Sequence, residues 1–261
     1  MKSFILFKNA KIHFKDFGKG KAIVLLHGFL ENSTMWNDFI NEWSRQNRIL
    51  TIDLLGHGKS ECLGYVHSME LMAEAVAEVL SHLKIKQATL IGHSMGGYVA
   101  LAFAELYPNS VNGLCLMNST SKPDSKDKQK NRDRTIDAVK HNHKTFIRVS
   151  ISNLFRPKNR RIFLEEIKTV KKEALKTSLQ SIIASLEGMK IRKDRQRVFR
   201  DGNFKKMIII SKKDPVLEYQ SLIDQIINTN IKVVELPDGH MSHIENKESF
   251  SYNIMHFIEN I

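Results

Sequence analysis

The chain has 261 residues, 42% hydrophobic and 26% charged, proportions of an ordinary globular protein and enough length for one domain with a large buried core. Thirteen glycines and five prolines leave little room for low-complexity linkers, no internal repeat is found, and no apolar run approaches the ~20 residues of a membrane-spanning helix. The formal net charge is +12, and residues 121–202 hold 23 Lys or Arg against 10 Asp or Glu, so the remainder is close to neutral.

Ser3–Phe7 and Lys11–Phe17 read as two short strands, and Gly18-Lys19-Gly20 turns into a third. That third segment, Ala22–Leu26, is apolar at five consecutive positions and ends at His27-Gly28. Unbroken apolarity implies a strand buried on both faces, as at the centre of a parallel sheet. Arg48–Ile52, Ala88–Ile91, Gly113–Met117, Met207–Ile210 and Lys232–Leu236 have the same character. Between them Met69–Leu83, Met95–Leu106, Glu218–Ile227 and Glu248–Ile258 repeat apolar residues at helical spacing. The alternation predicts an α/β fold: a mainly parallel eight-stranded sheet flanked by helices, with functional groups gathered beyond the C-terminal strand ends.

The alternation breaks after the sixth strand. Residues 121–203 offer only basic helical segments, with Leu175, Leu179, Ile182, Ile183, Leu186 and Met189 on one apolar face. A stretch of this length is too long for a loop and is expected to be a helical cap over a core made of residues 1–120 and 204–261. Its charge can serve nucleic acid, a membrane surface or anionic substrates. Because the basic residues are interleaved with acids and carry no nucleic-acid motif, a solvated insertion is the first reading, and no nucleic-acid partner is expected. Cys62 and Cys115 lack CxxC or metal-ligand spacing and are expected to be reduced thiols. The apolar stretch of Met1–Phe7 is too short for a signal peptide, so a cytoplasmic protein without a membrane span is expected.

The strongest local signal is Gly92-His93-Ser94-Met95-Gly96-Gly97, between a buried strand and an amphipathic helix. A strand turning abruptly into a helix strains its corner residue, and small neighbours are needed for the close approach. The serine hydroxyl is thereby held at the sheet rim beside a helix N-terminus. His27-Gly28-Phe29 follows the third strand, so the backbone N–H groups of Phe29 and Met95 are the expected oxyanion donors. Eleven histidines are present; His240, in Asp238-Gly239-His240 after the final strand, is the expected base and His243 its nearest rival. His93 is expected to pack behind the elbow and His57 to sit in a turn. Asp214, after the strand before the histidine, is the expected acid, with Asp124 and Asp53 as lesser alternatives; Ser94, Asp214, His240 is the required chain order.

Taken together, His27-Gly28-Phe29, Asp53 to Ser60, Gly92 to Gly97 and Gly239-His240 with Glu245 downstream resemble the α/β-hydrolase family over nearly the whole chain. Lys247 departs from the proline that many members carry there. The segment Leu186–Arg195 resembles the cap of small esterase-type members. The resemblance implies that Asp53 and Gly56–Ser60 form a structural loop beneath the site. Serine at the elbow excludes the aspartate-nucleophile branches and implies acyl transfer through a Ser–His–Asp triad, with no metal or organic cofactor.

The expected activity is hydrolysis of a small carboxylic ester. Alternatives are an enol-lactonase, an acyl-carrier-protein ester hydrolase docking an acidic carrier on the basic cap, a carbon–carbon bond hydrolase, or a non-catalytic ligand receptor. Candidate substrate-binding residues are His27, Gly28, Phe146, Leu154, Phe155 and Ile183. Substrate identity and oligomeric state are not legible.

Overall fold

Lys8 and Asn9, both at positive φ (46° and 69°), close a two-residue hairpin between Phe4–Phe7 (β1) and Ala10–Phe17 (β2), the loop whose twist matches that of paired strands. The computed structural model describes residues 3–261. Beyond the hairpin lie Lys21–Leu26 (β3), Asn47–Ile52 (β4), Ala88–His93 (β5), Val111–Met117 (β6), Lys205–Ser211 (β7) and Lys232–Leu236 (β8). They form one eight-stranded sheet in the order β1-β2-β4-β3-β5-β6-β7-β8. The β1–β2 and β2–β4 pairs are antiparallel, and every pair from β4 through β8 is parallel.

The winding reverses at β3. The chain moves outward from β3 to β4 and then crosses back to β5 on the other side of β3. At such a point the connections leave in opposite directions, and a crevice opens beyond the strand ends. The residues following β3 and β5 are His27-Gly28 and Ser94.

Side-chain alternation splits the central strands between two cores. Val24, Leu26, Leu90, Leu116 and Ile208 belong to one apolar cluster, and Ile23, Leu25, Ile91, Met117 and Ile209 to the other. Met69–His82 and Met95–Leu106 cover the first face; Asn37–Trp43 and Lys247–Glu259 cover the second. In chain order the helices are Asn37–Trp43 (α1), Met69–His82 (α2), Met95–Leu106 (α3), Lys126–Leu154 (α4), Leu164–Ala174 (α5), Leu179–Lys190 (α6), Gln196–Asp201 (α7), Tyr219–Asp224 (α8), Ser242–Glu245 (α9) and Lys247–Glu259 (α10).

Helix α1 has no counterpart among the expected elements; its seven residues are too few to show a period, and its place is set by Phe39 and Trp43 stacking in a cluster with Trp36 and Phe250. The helix expected over Glu218–Ile227 is shorter in the structure. Arg200 takes the carbonyls of Gln225 and Ile227 at 2.9 and 3.0 Å, and the Gln225 side chain is buried as the acceptor of Ser121 N–H at 2.8 Å. No described helix is long and apolar enough to cross a membrane.

Helices α4 to α7 fill the connection from β6 to β7, where no described strand occurs. Ser125 and Ser178 cap α4 and α6 by accepting the N–H groups of Lys128 and Ser181. Within α4 the chain leaves helical geometry at Asn142 (φ −156°, ψ 82°), whose side chain accepts Thr145 N–H at 3.0 Å and restarts the helix. Part of the positive charge of this segment is spent fastening it to the sheet domain. The buried Arg195 guanidinium meets Glu70 on α2 and Glu105 on α3 at 2.5 and 2.8 Å. Arg156 meets Asp238 at 2.9 Å.

Candidate active site

Ser94 sits at φ 49° and ψ −112°, a conformation that costs a non-glycine residue about 1–3 kcal/mol and persists only where neighbours over-determine it. Here they do. Its N–H donates to Met117 O at 2.9 Å, and its carbonyl accepts Gly97 N–H at 3.0 Å and the Ser119 hydroxyl at 2.7 Å. Any Cβ on Gly92 would overlap the Gly96 carbonyl, and one on Gly96 would overlap the Leu26 carbonyl. The corner can be this tight only with glycine at both places.

His240 follows β8, and its N–H is held by Leu154 O at 2.9 Å. Its Nδ1 lies 2.7 Å from Asp214 Oδ2, so Nδ1 carries a proton and Nε2 is the ring nitrogen left without a protein partner among the described residues. Asp214 is fixed in turn by Val216 and Leu217 N–H on Oδ1 (2.8 and 3.0 Å) and by Asn118 Nδ2 on Oδ2 (3.1 Å). Burial alone would raise the Asp214 carboxyl; the charge and hydrogen bond of His240 and these donors hold it below the ordinary carboxylate range. Asn118 is itself oriented, donating to Ser211 Oγ at 2.8 Å and accepting the Ser242 hydroxyl at 2.6 Å. Asn118 was not among the expected site residues, since nothing in its local sequence marks it.

Ser94 and His240 line one cavity of about 110 Å³. Its walls include apolar Phe29, Tyr98, Ile151, Leu154, Met189 and Val216, and Glu31, His93, Arg132 and Ser150 add charged and polar groups. Among the described residues the backbone N–H groups of Phe29 and Met95 have no protein acceptor. A larger recess, about 350 Å³ and rimmed by Asp38, Glu165, Glu166 and Glu173, contains no nucleophile.

Of the candidate substrate-binding residues, Leu154 lines the Ser94 cavity. The others do not. Phe155 is fully buried against Ile167 and Met241, and Phe146 and Ile183 pack half-buried on the main core. Helical spacing located the apolar face of each segment but not which neighbour that face meets. His27 is fully buried, donating from Nδ1 to Gly28 O (2.8 Å) and accepting Leu54 N–H at Nε2 (2.9 Å). Burial lowers its pKa, and this bonding requires the neutral ring. Gly28 lies behind the wall, where a Cβ would fall 2.5 Å from Glu31 Oε2 and 2.9 Å from His93 Nδ1.

His93 does more than pack. Its Nδ1 is 2.6 Å from Glu31 Oε2, and its Nε2 is 3.0 Å from the His240 carbonyl oxygen. Glu31 Oε2 also accepts Gly28 N–H at 2.7 Å. Both ring nitrogens face acceptors, so both carry protons and His93 is an imidazolium. Burial alone would raise Glu31, but the His93 charge and hydrogen bond bring it down to about 2. Burial alone would lower His93, and Glu31 raises it instead. The chain thus bonds the loop after β3 to the backbone of His240 through a buried ion pair. Glu31 was not foreseen; its position three residues after Gly28 is the only sequence signal.

His243 is buried beside this pair, its Nε2 4.0 Å from Glu31 Oε1, and burial drives its pKa down to about 3. Ligand atoms of Glu31, His93 and His243 lie within 4.8 Å of one another, the spacing of a metal site. A doubly protonated His93 has no lone pair to offer, so the donor set does not suit a cation. Asp124 is engaged elsewhere: Arg132 Nε donates to its Oδ2, and Arg192 Nη1 lies 2.6 Å from its Oδ1. Asp53 accepts Ser33 and Lys59 N–H at 2.7 and 3.0 Å and pairs with His13 Nδ1 at 2.9 Å, which binds a loop together. Cys115 is buried in β6, where its thiol is pushed far above the usual range.

Residues 21–247 match the family described as alpha/beta hydrolase fold. An esterase structure from Thermogutta terrifontis, determined with malate bound, superposes with a TM-score of 0.91 at 27% identity, covering 99% of this chain and 97% of that one. The 2-hydroxy-6-oxononadienedioate/2-hydroxy-6-oxononatrienedioate hydrolase of Burkholderia vietnamiensis is 39% identical over 113 residues, 41% of this chain and 39% of its own length. An uncharacterized protein of Mycobacterium tuberculosis is 38% identical over 106 residues, 41% of this chain and 31% of its own length. The matched region therefore spans only about a third of the length of these curated relatives, 39% and 31%.

Proposed function

This chain belongs to the alpha/beta hydrolase fold family, and we propose that it is a serine hydrolase that cleaves a carboxylic ester through an acyl-enzyme, with Ser94 as nucleophile, His240 as base and Asp214 as the acid. The observation that carries the reading is the His240 Nδ1 to Asp214 Oδ2 bond of 2.7 Å, made by a histidine that lines the same cavity as Ser94.

In this mechanism Nε2 of His240 takes the Ser94 hydroxyl proton as the oxygen attacks the ester carbonyl. The buried Asp214 carboxylate stabilises the imidazolium that forms. Negative charge developing on the carbonyl oxygen is met by the open N–H groups of Phe29 and Met95, the second at the N-terminus of α3, where the helix dipole adds to the field. His240 then protonates the leaving alcohol and activates the water that releases the acid. Residues 121–203 act as a lid, with Ile151, Leu154 and Met189 roofing the cavity. The likeness to an esterase across 99% of the chain supports this choice of bond.

A second reading, hydrolysis of a dioate of the kind named for the Burkholderia relative, rests on the 39% identity to that protein. A fluorophosphonate probe followed by peptide mass spectrometry tests the nucleophile. Labelling at Ser94 that is lost in H240A is expected; no labelling, or equal labelling in H240A, overturns the triad. A chain-length series of neutral esters assayed against the dioate separates the two substrates.

A further inference from the structure

The proposed reaction needs no charged group from the insertion, yet a guanidinium on α4 faces the Ser94 cavity. Arg132 lines it together with apolar Phe29, Tyr98, Ile151 and Met189 and with Glu31 and His93, whose charges are paired with each other, and its side chain is 21% exposed. Removing a cation from water into such surroundings is costly unless an anion compensates it.

Asp124 compensates only part of the charge. The Asp124 carboxylate is 1% exposed and lies between two guanidiniums. Arg192, 3% exposed, is the inner one, 2.6 Å from Oδ1; it also donates to Met189 O at 3.0 Å and stacks 4.2 Å over the Tyr98 ring. Arg132 is the outer one and spends only Nε on Asp124. Among the described residues neither Nη group of Arg132 has a protein acceptor. Lys128 stands one turn earlier on the same face of α4 and adds a third cation; burial lowers its pKa against the pull of Asp124, and the charges of Arg192 and Arg132 lower it further. Because Arg192 already meets Asp124, a second guanidinium is not required to bury that carboxylate. Asp124 instead acts on Arg132, clamping Nε and aiming the terminal fork.

We propose that the Nη groups of Arg132 form an anion subsite, and that the substrate is an ester bearing a carboxylate a few bonds from the scissile carbonyl. A planar fork presents two parallel donors to a carboxylate, and a cavity of about 110 Å³ holds a short chain between that fork and Ser94. This assignment rests on the proposed esterase reaction and names its substrate class.

Two matched pairs test it. Monoethyl succinate is compared with ethyl 4-methylpentanoate for a charge on the acyl side, and 3-acetoxypropanoate with 3-methylbutyl acetate for one on the alcohol side. Wild type is expected to prefer the anion in one pair. R132Q loses that preference by roughly 10- to 100-fold, mostly through KM, as expected when a charge-assisted pair is removed, and R132K retains part of it. Turnover of the neutral esters with no anion preference in either pair, or an equal loss on both members in R132Q, overturns the subsite and leaves the esterase reading standing. If no ester is turned over, calorimetric titration of S94A with succinate decides. Binding that R132Q abolishes in the S94A background upholds the site, and absence of binding to S94A overturns it.

Discussion

Glu31 and His93 are 62 positions apart in sequence and 2.6 Å apart in space, and their ion pair couples the two loops that the proposed chemistry depends on. Glu31 holds Gly28 N–H, which orients the peptide leading into Phe29, and His93 holds the carbonyl of His240. Neither residue lies on the reaction path; both act by positioning groups that do.

Breaking one side of a buried pair strands a charge, which costs about 3–5 kcal/mol. E31Q and H93N are each expected to lose stability of that order in urea unfolding and to lower kcat more than they raise KM. The E31Q/H93N double variant, which buries no net charge, is expected to recover part of the loss, giving a coupling that a double-mutant cycle measures. Additive losses would contradict the pair.

Asp214 and Asp124 separate cleanly by assay. D214N keeps the shape of the site but removes the acceptor that fixes the His240 tautomer, and a fall in kcat of about 10⁴ is expected by analogy with other triads. D124N strands the buried Arg192 instead and is expected to show as a lower melting temperature, with a far smaller effect on a neutral ester. The reverse ranking in kcat would reassign the acid.

Gly188 on α6 marks how closely the insertion lies on the sheet domain. A Cβ there would overlap the His67 carbonyl oxygen, and the neighbouring Ala184 carbonyl accepts His67 N–H at 2.9 Å. G188A must push α6 away from the loop before α2, and a loss of about 3 kcal/mol or more is expected, above the usual cost of overpacking by one methyl group. Unfolding in denaturant measures it; an unchanged midpoint would mean that α6 moves freely there.

Acid is expected to unfold the protein well above the carboxylate range. Burial lowers the pKa of His57 and His243 to about 3 and of His67 to about 4, while in the unfolded chain they titrate near ~6.5. Because the folded values are depressed, their contribution is complete above pH ~6.5 and drains away as pH falls toward 3–4, at up to roughly 1.4 kcal/mol per pH unit for each ring. His93 opposes them, since its raised pKa favours the folded state at acid pH and that contribution is lost as pH rises past ~6.5. Glu31 stays ionised until about pH 2. Melting temperature followed from pH 7 to pH 4 should fall steeply, and H57Q should flatten the slope; a level profile would contradict the burial of these rings as neutral groups.

What the amino-acid order determined by itself is local. Apolar runs such as Val24–Leu26 marked the central strands of the sheet, because a strand covered on both faces has few polar positions to spare. Gly92 and Gly96 marked the corner at Ser94, because only they allow the approach that the turn requires. Chain order then named Asp214 and His240, and the structure brings these two within a hydrogen bond. Contacts between distant side chains were decided only by the tertiary structure. Glu31 has no meaning until β3 and β5 lie side by side, and Asn118 none until β7 delivers Asp214 beside it. For the same reason Phe155, a candidate from the sequence, is absent from the cavity wall, and Arg132, which the sequence did not single out, is part of it. Periodicity tells which face of a helix is buried, but the rotation of the insertion against the sheet tells what that face meets. In this protein the rotation turns Phe155 into an apolar cluster and brings Arg132 to the wall of the cavity that Ser94 lines.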